Sequence, residues 1–254
     1  GYSEGTNSET LDGGLGNDIL KAGTGDDTYI FKSGYGQDVI EEDYYGLNSY
    51  DDTVKFGSGL TPQTMEIVRE GDDLVFDIQG SSDRLTIRDQ FDSPYETLSV
   101  EEFQFDNGSI IWTKENIKQE IIDRTSTNGN DYILGYSEGT NSETLDGGLG
   151  NDVLEGKKGD DTYLFNFGYG QDVIKDNGNN DTLKLGVGLT LGTLEFYRKG
   201  QHLVFQIPET NDQLIVENQF NSRQDYLIET FQFDNGATVL TKDELYQQLG
   251  TLTN

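Results

Sequence analysis

Apolar positions follow two rhythms along this chain, and the rhythm changes partway through each half. Early in each half they come as short pairs, Ile19-Leu20 and Val153-Leu154, set between glycine-rich turns. Such pairs predict very short strands, with Leu20 and Leu154 pointing into a core. From Met65 the pattern becomes alternation. Met65 and Ile67, then Leu74, Phe76 and Ile78, flank the turn Glu70-Gly71-Asp72-Asp73, which predicts a hairpin. Leu85 and Ile87 predict another strand, ending near Phe91. Phe103 and Phe105 predict a strand that turns at Asp106-Asn107-Gly108 into Ile110-Ile111-Trp112. The second half repeats this through Leu194-Phe196, Leu203-Phe205-Ile207, Leu214-Val216 and Phe231-Phe233. A short helix should close each half. Thr241-Lys242-Asp243-Glu244 is a capping box, and Thr113-Lys114-Glu115-Asn116 a version with Asn at the third helical position.

The halves are copies. Residues 1–18, GYSEGTNSETLDGGLGND, recur letter for letter as residues 135–152. GDDTYIF from Gly25 returns as GDDTYLF from Gly159, GYGQDVI from Gly34 returns from Gly168, and FQFDNG from Phe103 returns from Phe231. The first copy carries a short polar insertion near residues 44–50, and Asp123 to Asn128 is the candidate linker. The second copy is preceded by GNDYIL, and the chain stops just before another copy would start. It reads as two units cut in phase from a longer tandem array.

Inside the early part of each copy, acids recur in a frame of nine. They fall at Glu9, Asp18, Asp27, Asp38 and Asp52, and at Asp131, Glu143, Asp152, Asp161, Asp172 and Asp181. Five of the nine strides are nine residues; the steps to Asp38, Asp52, Glu143 and Asp172 are longer. Glycines stand two and four residues upstream and an aliphatic two downstream, as in Gly13-Gly14-Leu15-Gly16-Asn17-Asp18-Ile19-Leu20. Only glycine takes positive φ cheaply, so the hexapeptide makes a tight turn. If two nine-residue units complete one coil, strands stack in parallel and turns stack on turns. Each turn then offers carbonyls and one carboxylate. A hard cation with six to eight oxygen ligands fits between turns, which describes Ca²⁺ better than Mg²⁺.

Charge sharpens this picture. The chain has 47 Asp and Glu against 17 Lys and Arg, a formal net charge of -30. Such a chain repels itself and is a poor partner for nucleic acid or anionic membrane. Aromatic residues are 11% of it, which argues against an acidic disordered tail. There is no Cys, hence no disulfide and no thiolate zinc site. No apolar run is long enough to span a bilayer.

The frame G-G-x-G-x-D-x-U-x resembles the RTX nonapeptide repeat, which winds into a parallel β-roll. The resemblance implies Ca²⁺ bound between units two apart in sequence, several ions per copy. Carried onto this chain, the implied pairs are Asp18 with Asp38, Asp27 with Asp52, Asp131 with Asp152, Asp152 with Asp172, and Asp161 with Asp181. It also implies carbonyl ligands from Gly13, Gly14, Leu15 and Gly16; Ala22, Gly23, Thr24 and Gly25; Gly147, Gly148, Leu149 and Gly150; and Gly156, Lys157, Lys158 and Gly159. Three departures stand out. Glu9 and Glu143 replace Asp, Lys157-Lys158 enter a turn, and extra residues before Asp38, Asp52, Asp172 and Asp181 threaten those sites.

The later part of each copy resembles the domain related to haemolysin-type calcium-binding proteins, through Arg69-x-Gly71, Asp73-Leu74, Asp83 and Phe103-x-Phe105-Asp106-x-Gly108. A roll has open strand edges, and a hairpin domain beside it can cover them. The expected fold is all-β: two parallel β-rolls, residues 1–60 and 126–189, each followed by a small antiparallel β cap with a short C-terminal helix, residues 61–125 and 190–254. Catalysis is not expected. His202 is the only histidine and flanks a turn, and no nucleophile, base and orienting acid form a set. The family implies a calcium-triggered folding module of a secreted bacterial protein, exported by type I secretion from a Gram-negative cell. An adhesive or carbohydrate-binding array is the alternative, with Tyr44, Tyr45 and Tyr50 as stacking candidates; a non-catalytic carrier segment of a toxin or secreted enzyme is another. Expected partners are calcium and neighbouring repeats, with glycan or host surface under the adhesive reading.

Overall fold

The computed structural model describes residues 8–42, 50–91, 99–136, 142–221 and 227–251. They fall into two compact units, Gly1–Ile121 and Ile122–Asn254. The first unit runs through β1 (Thr10–Asp12), β2 (Ile19–Leu20), β3 (Thr28–Phe31), β4 (Gln37–Ile40) and β5 (Thr53–Phe56). It continues through β6 (Met65–Glu70), β7 (Asp73–Ile78), β8 (Arg84–Ile87), β9 (Glu102–Phe105) and β10 (Ile110–Thr113) into α1 (Lys114–Thr125).

Roll strands alternate between two sheets. β1, β3 and β5 pair in parallel in one sheet, and β2 and β4 in the other. The cap does not begin a sheet of its own. β9 adds to β5 in parallel and β8 adds to β4 in parallel; antiparallel pairing starts only after that, with β10 on β9, β7 on β8 and β6 on β7. The antiparallel cap is therefore joined to the roll by continuous backbone hydrogen bonding. One edge of each roll sheet, at β5 and at β4, is thereby covered by a paired strand.

The second unit repeats this with one more strand at its start. Its roll is β11 (Tyr132–Leu134), β12 (Thr144–Asp146), β13 (Val153–Glu155), β14 (Thr162–Phe165), β15 (Gln171–Lys175) and β16 (Asp181–Leu185). Its cap is β17 (Glu195–Lys199), β18 (His202–Gln206), β19 (Gln213–Val216), β20 (Ile228–Phe233) and β21 (Thr238–Thr241), followed by α2 (Lys242–Thr251). The sheets are ordered β11-β13-β15-β19-β18-β17 and β12-β14-β16-β20-β21.

Side chains alternate along each strand, and the inward set forms the core. In the first unit Tyr29, Phe31, Val54, Phe56, Phe76, Phe103 and Phe105 are buried together with Leu20, Ile40, Leu85 and Ile87. Phe56 stacks on Phe105 at 4.9 Å between ring centroids, and Trp112 meets Phe105 edge-on at 5.2 Å, as packing rather than chemistry. Both hairpin turns put Asp-Asn in left-handed backbone ahead of Gly, with φ of 47° and 55° at Asp106 and Asn107. The capping boxes form: Thr241 N–H donates to Glu244 Oε2 at 2.8 Å, and Thr113 N–H to Asn116 Oδ1 at 3.0 Å. The candidate linker at Asp123 is helical through Thr125. No helix among the described residues is long and apolar enough to cross a membrane. Tyr44 and Tyr45 lie outside the described residues; Tyr50 is described and half-buried.

Candidate metal centre

Stacking the turns brings the in-phase acids into columns, held by one repeated hydrogen bond. The backbone N–H of seven of these acids donates to Oδ1 of the acid one coil further on. Asp18 bonds Asp38 at 3.0 Å, Glu9 bonds Asp27 at 2.7 Å and Asp27 bonds Asp52 at 2.8 Å. In the second unit Asp131 bonds Asp152 at 2.8 Å, Asp152 bonds Asp172 at 3.0 Å, Glu143 bonds Asp161 at 2.9 Å and Asp161 bonds Asp181 at 2.8 Å. All five pairs named from the sequence are thus adjacent. The hydrogen bonds to Asp38, Asp52, Asp172 and Asp181 form despite the extra residues that precede these acids in the sequence. A second ladder runs beside the first in the opposite sense. Gln37 and Gln171 N–H donate to Asn17 and Asn151 Oδ1, at 2.9 and 2.8 Å.

One oxygen of each rung is thereby spent, and the other is not. Oδ2 of Asp18, Asp27, Asp38, Asp152, Asp161, Asp172 and Asp181 is buried with no hydrogen-bond partner. Buried carboxylate oxygens left this way are costly. They face the turn interior: a Cβ on Gly13 would lie 3.1 Å from Asp18 Oδ2, and one on Gly147 would stand 2.5 Å from Asp152 Oδ2. The cradle is open only because these positions lack side chains. Asp131 differs, since its carboxylate accepts the Thr127 N–H at 2.6 Å.

Burial raises the proton affinity of these acids. Asp52 is pushed up to about 8, first by desolvation and then by the charge of Glu42. Asp172 rises to about 7, by desolvation and the neighbouring Asp152. Asp27, Asp38, Asp152, Asp161 and Asp181 are raised as well, desolvation leading in each case. A column of oxygen-only ligands, too crowded to be fully ionised alone, suits a hard cation that accepts many oxygens.

The turn residues behave as their positions require. Gly14 and Gly148 occupy left-handed backbone at φ 77° and 72°, and Lys157 occupies the same slot at φ 77°. The Lys157 ammonium turns outward to pair with Glu155. Lys158 is exposed like Leu15 and Leu149 at the matching position, so neither lysine enters the cradle. Closer in, a Cβ on Gly150 would overlap the Gly129 carbonyl oxygen, and one on Gly170 would overlap that of Gly150.

The caps supply acids at the ends of the columns, of which Glu101 and Glu229 were missed in the sequence. Asp52 N–H donates to Glu101 Oε2 at 2.9 Å, and Asp181 N–H to Glu229 Oε2 at 3.0 Å, so a cap glutamate is the last rung of one column in each unit. Asp83 and Asp212 bind the turns that end the other column, through Gly34 N–H at 2.6 Å and Gly168 N–H at 2.8 Å. The available signal was recurrence: an acid precedes Phe-Gln-Phe by two residues in both copies. His202 is half-buried and accepts the Asn218 N–H at 3.2 Å, a turn-fixing contact.

Family comparisons agree with this division. The model of the RTX calcium-binding nonapeptide repeat matches residues 5–39 and 139–171. The model of the haemolysin-type calcium binding protein related domain matches residues 73–115 and 202–244. Among curated relatives, the iron-regulated protein FrpA of Neisseria meningitidis serogroup C is 36% identical over 127 residues, which is 48% of this chain and 10% of that protein. The chain thus spans about a tenth of that relative's length. Among solved structures, the extracellular lipase LipA of Serratia marcescens aligns at TM-score 0.30 and 15% identity, over 94% of this chain and 38% of that one. With turns, acid columns and caps each matched twice, the chain belongs to the RTX family: two tandem units of Ca²⁺-binding nonapeptide repeats, each followed by a haemolysin-type calcium-binding protein related domain.

Proposed function

We propose that this chain is a non-catalytic, calcium-triggered folding module of a secreted bacterial RTX protein. The ligands in this reading are carboxylate oxygens of Asp18 with Asp38, Asp27 with Asp52, Asp152 with Asp172, and Asp161 with Asp181. Carbonyls of the first four residues of each turn add to them, and Glu9, Glu143 and Asp131 stand at the starts of columns. The observation that carries the reading is the row of buried, unpartnered Oδ2 atoms facing glycine-lined cradles. Without a cation the columns resist ionisation and the glycine turns lose much chain entropy on ordering. With one, binding free energy becomes folding free energy. A chain that folds only where calcium is plentiful suits export by type I secretion from a Gram-negative cell. The relative FrpA is a far longer chain, of which the match covers 10%. The carbohydrate reading drew on tandem stacking and on Tyr44, Tyr45 and Tyr50, of which only Tyr50 is described, half-buried.

Calorimetric titration tests the site assignment. Ca²⁺ should bind at several sites per chain, Mg²⁺ should not substitute, and Asp152→Asn should remove binding from the column it links. An Asp152→Asn chain with the full wild-type complement of calcium would contradict the assignment.

A further inference from the structure

The turn at residues 176–181 departs from the others at its first position. Gly13, Ala22, Gly147 and Gly156 stand there in four other turns; here it is Asp176. Its side chain folds back into the turn. Oδ1 accepts the Tyr163 hydroxyl at 2.6 Å and Oδ2 accepts the Gly178 N–H at 2.8 Å. That places ligand oxygens of Asp161, Asp176 and Asp181 within 4.8 Å of one another, all three residues buried. No other three-acid cluster of this kind is found among the described residues.

An independent observation points to a ligand. Asp161 and Asp181 are 1% and 0% exposed, and Oδ2 of each is unpartnered. Carbonyls converge on the same place: a Cβ on Gly178 would lie 3.0 Å from Gly159 O, 3.1 Å from Asp181 Oδ2 and 3.2 Å from Lys157 O. The one lysine in this part of the turn stack that is buried enough to matter, Lys157, gives its ammonium to Glu155 instead. In the first unit the same tyrosine position, Tyr29, donates to Glu42, so an acid beside this tyrosine is built twice.

We infer that Asp176 is a third carboxylate ligand of the ion held between turns 156–161 and 176–181, and that this is the tightest calcium site of the chain. Ligand charge count sets affinity at oxygen sites of this kind. Glu42 stands beside Tyr29, but among the described residues only Asp161, Asp176 and Asp181 bring three ligand oxygens together. The inference rests on the proposed assignment of Asp161 and Asp181 as ligands. The tyrosine hydroxyl holds the added carboxylate in place, as outer-shell donors do at metal sites.

The test uses the whole chain and two variants, D176N and Y163F, with calcium isotherms and tyrosine-excited terbium luminescence. Asn at 176 keeps an acceptor for the Gly178 N–H but loses the charge; Phe at 163 keeps the core but loses the hydroxyl. D176N should weaken the tightest class of sites by at least about tenfold, and dim terbium emission at low terbium. Y163F should cost less affinity than D176N while also dimming emission. Circular dichroism at saturating calcium checks that both variants fold. A D176N isotherm identical to wild type overturns the inference, and so does an equal loss in the two variants, which would make Asp176 only the partner of Tyr163. If the wild-type chain bound no calcium at all, the failure would belong to the proposed function itself.

Discussion

At Asp27, Asp38, Asp152, Asp161, Asp172 and Asp181 the two carboxylate oxygens have separate duties, and that division shapes how the protein responds to pH. Oδ1 fastens one coil to the next, while Oδ2 is buried without a partner. Asp52 and Asp172 are raised to about 8 and about 7, well above the ordinary value of about 3.9 in an unfolded chain. A raised folded value means the metal-free roll binds more protons than the unfolded chain. The resulting stability is fully present below the unfolded value and is lost as pH rises through the folded one. In excess chelator, β content should therefore grow as pH falls from about 9 towards 5. With calcium the dependence inverts, because protons compete for the same oxygens and apparent affinity drops on acidification. Circular dichroism against pH, with and without calcium, checks both arms. A chelated chain whose β content is flat across that window would contradict the account. At this scale the acids themselves were legible in the sequence, because they recur in phase with glycines. Asp176, Glu101 and Glu229 were not, since none of them sits at the frame's acidic position.

Turns and strands show why the glycines are not interchangeable. Gly14 sits in left-handed backbone at φ 77° with open space around its would-be side chain. Gly14→Ala should cost only the backbone strain, about 1–2 kcal/mol. A side chain at Gly150 would meet the Gly129 carbonyl of the stacked turn, backbone that cannot move without opening the ladder. Gly150→Ala should thus destabilise clearly more than Gly14→Ala in thermal melts at saturating calcium; equal losses would mean that turn stacking is loose there. The periodicity in the sequence was enough to place short parallel strands, hairpins and closing helices. What it could not reveal was how the caps attach. The partners Asp52 and Glu101 are far apart in sequence, and β9 pairs with β5 in parallel, a contact with no local signature. The capping glutamates and the parallel joining strands have one physical cause: the last coil of the roll needs both a hydrogen-bonded neighbour and a final acceptor for its N–H groups.

Across the whole molecule, a formal charge of -30 and short strands of two to five residues in the rolls set the condition for folding. Little strand length is available to hold the coils, and their acid columns oppose them unless neutralised. Since each roll sheet continues without a break into its cap, loss of calcium should loosen both parts of a unit together. Amide hydrogen exchange on the full chain, in excess chelator and then in calcium, tests this most directly. The N–H groups of Asp18, Asp27, Asp152 and Asp161, each of which donates to the next rung, report on the columns. The account predicts that they exchange like an unfolded chain in chelator and become strongly protected once calcium binds. Full protection of the same amides in chelator would contradict it.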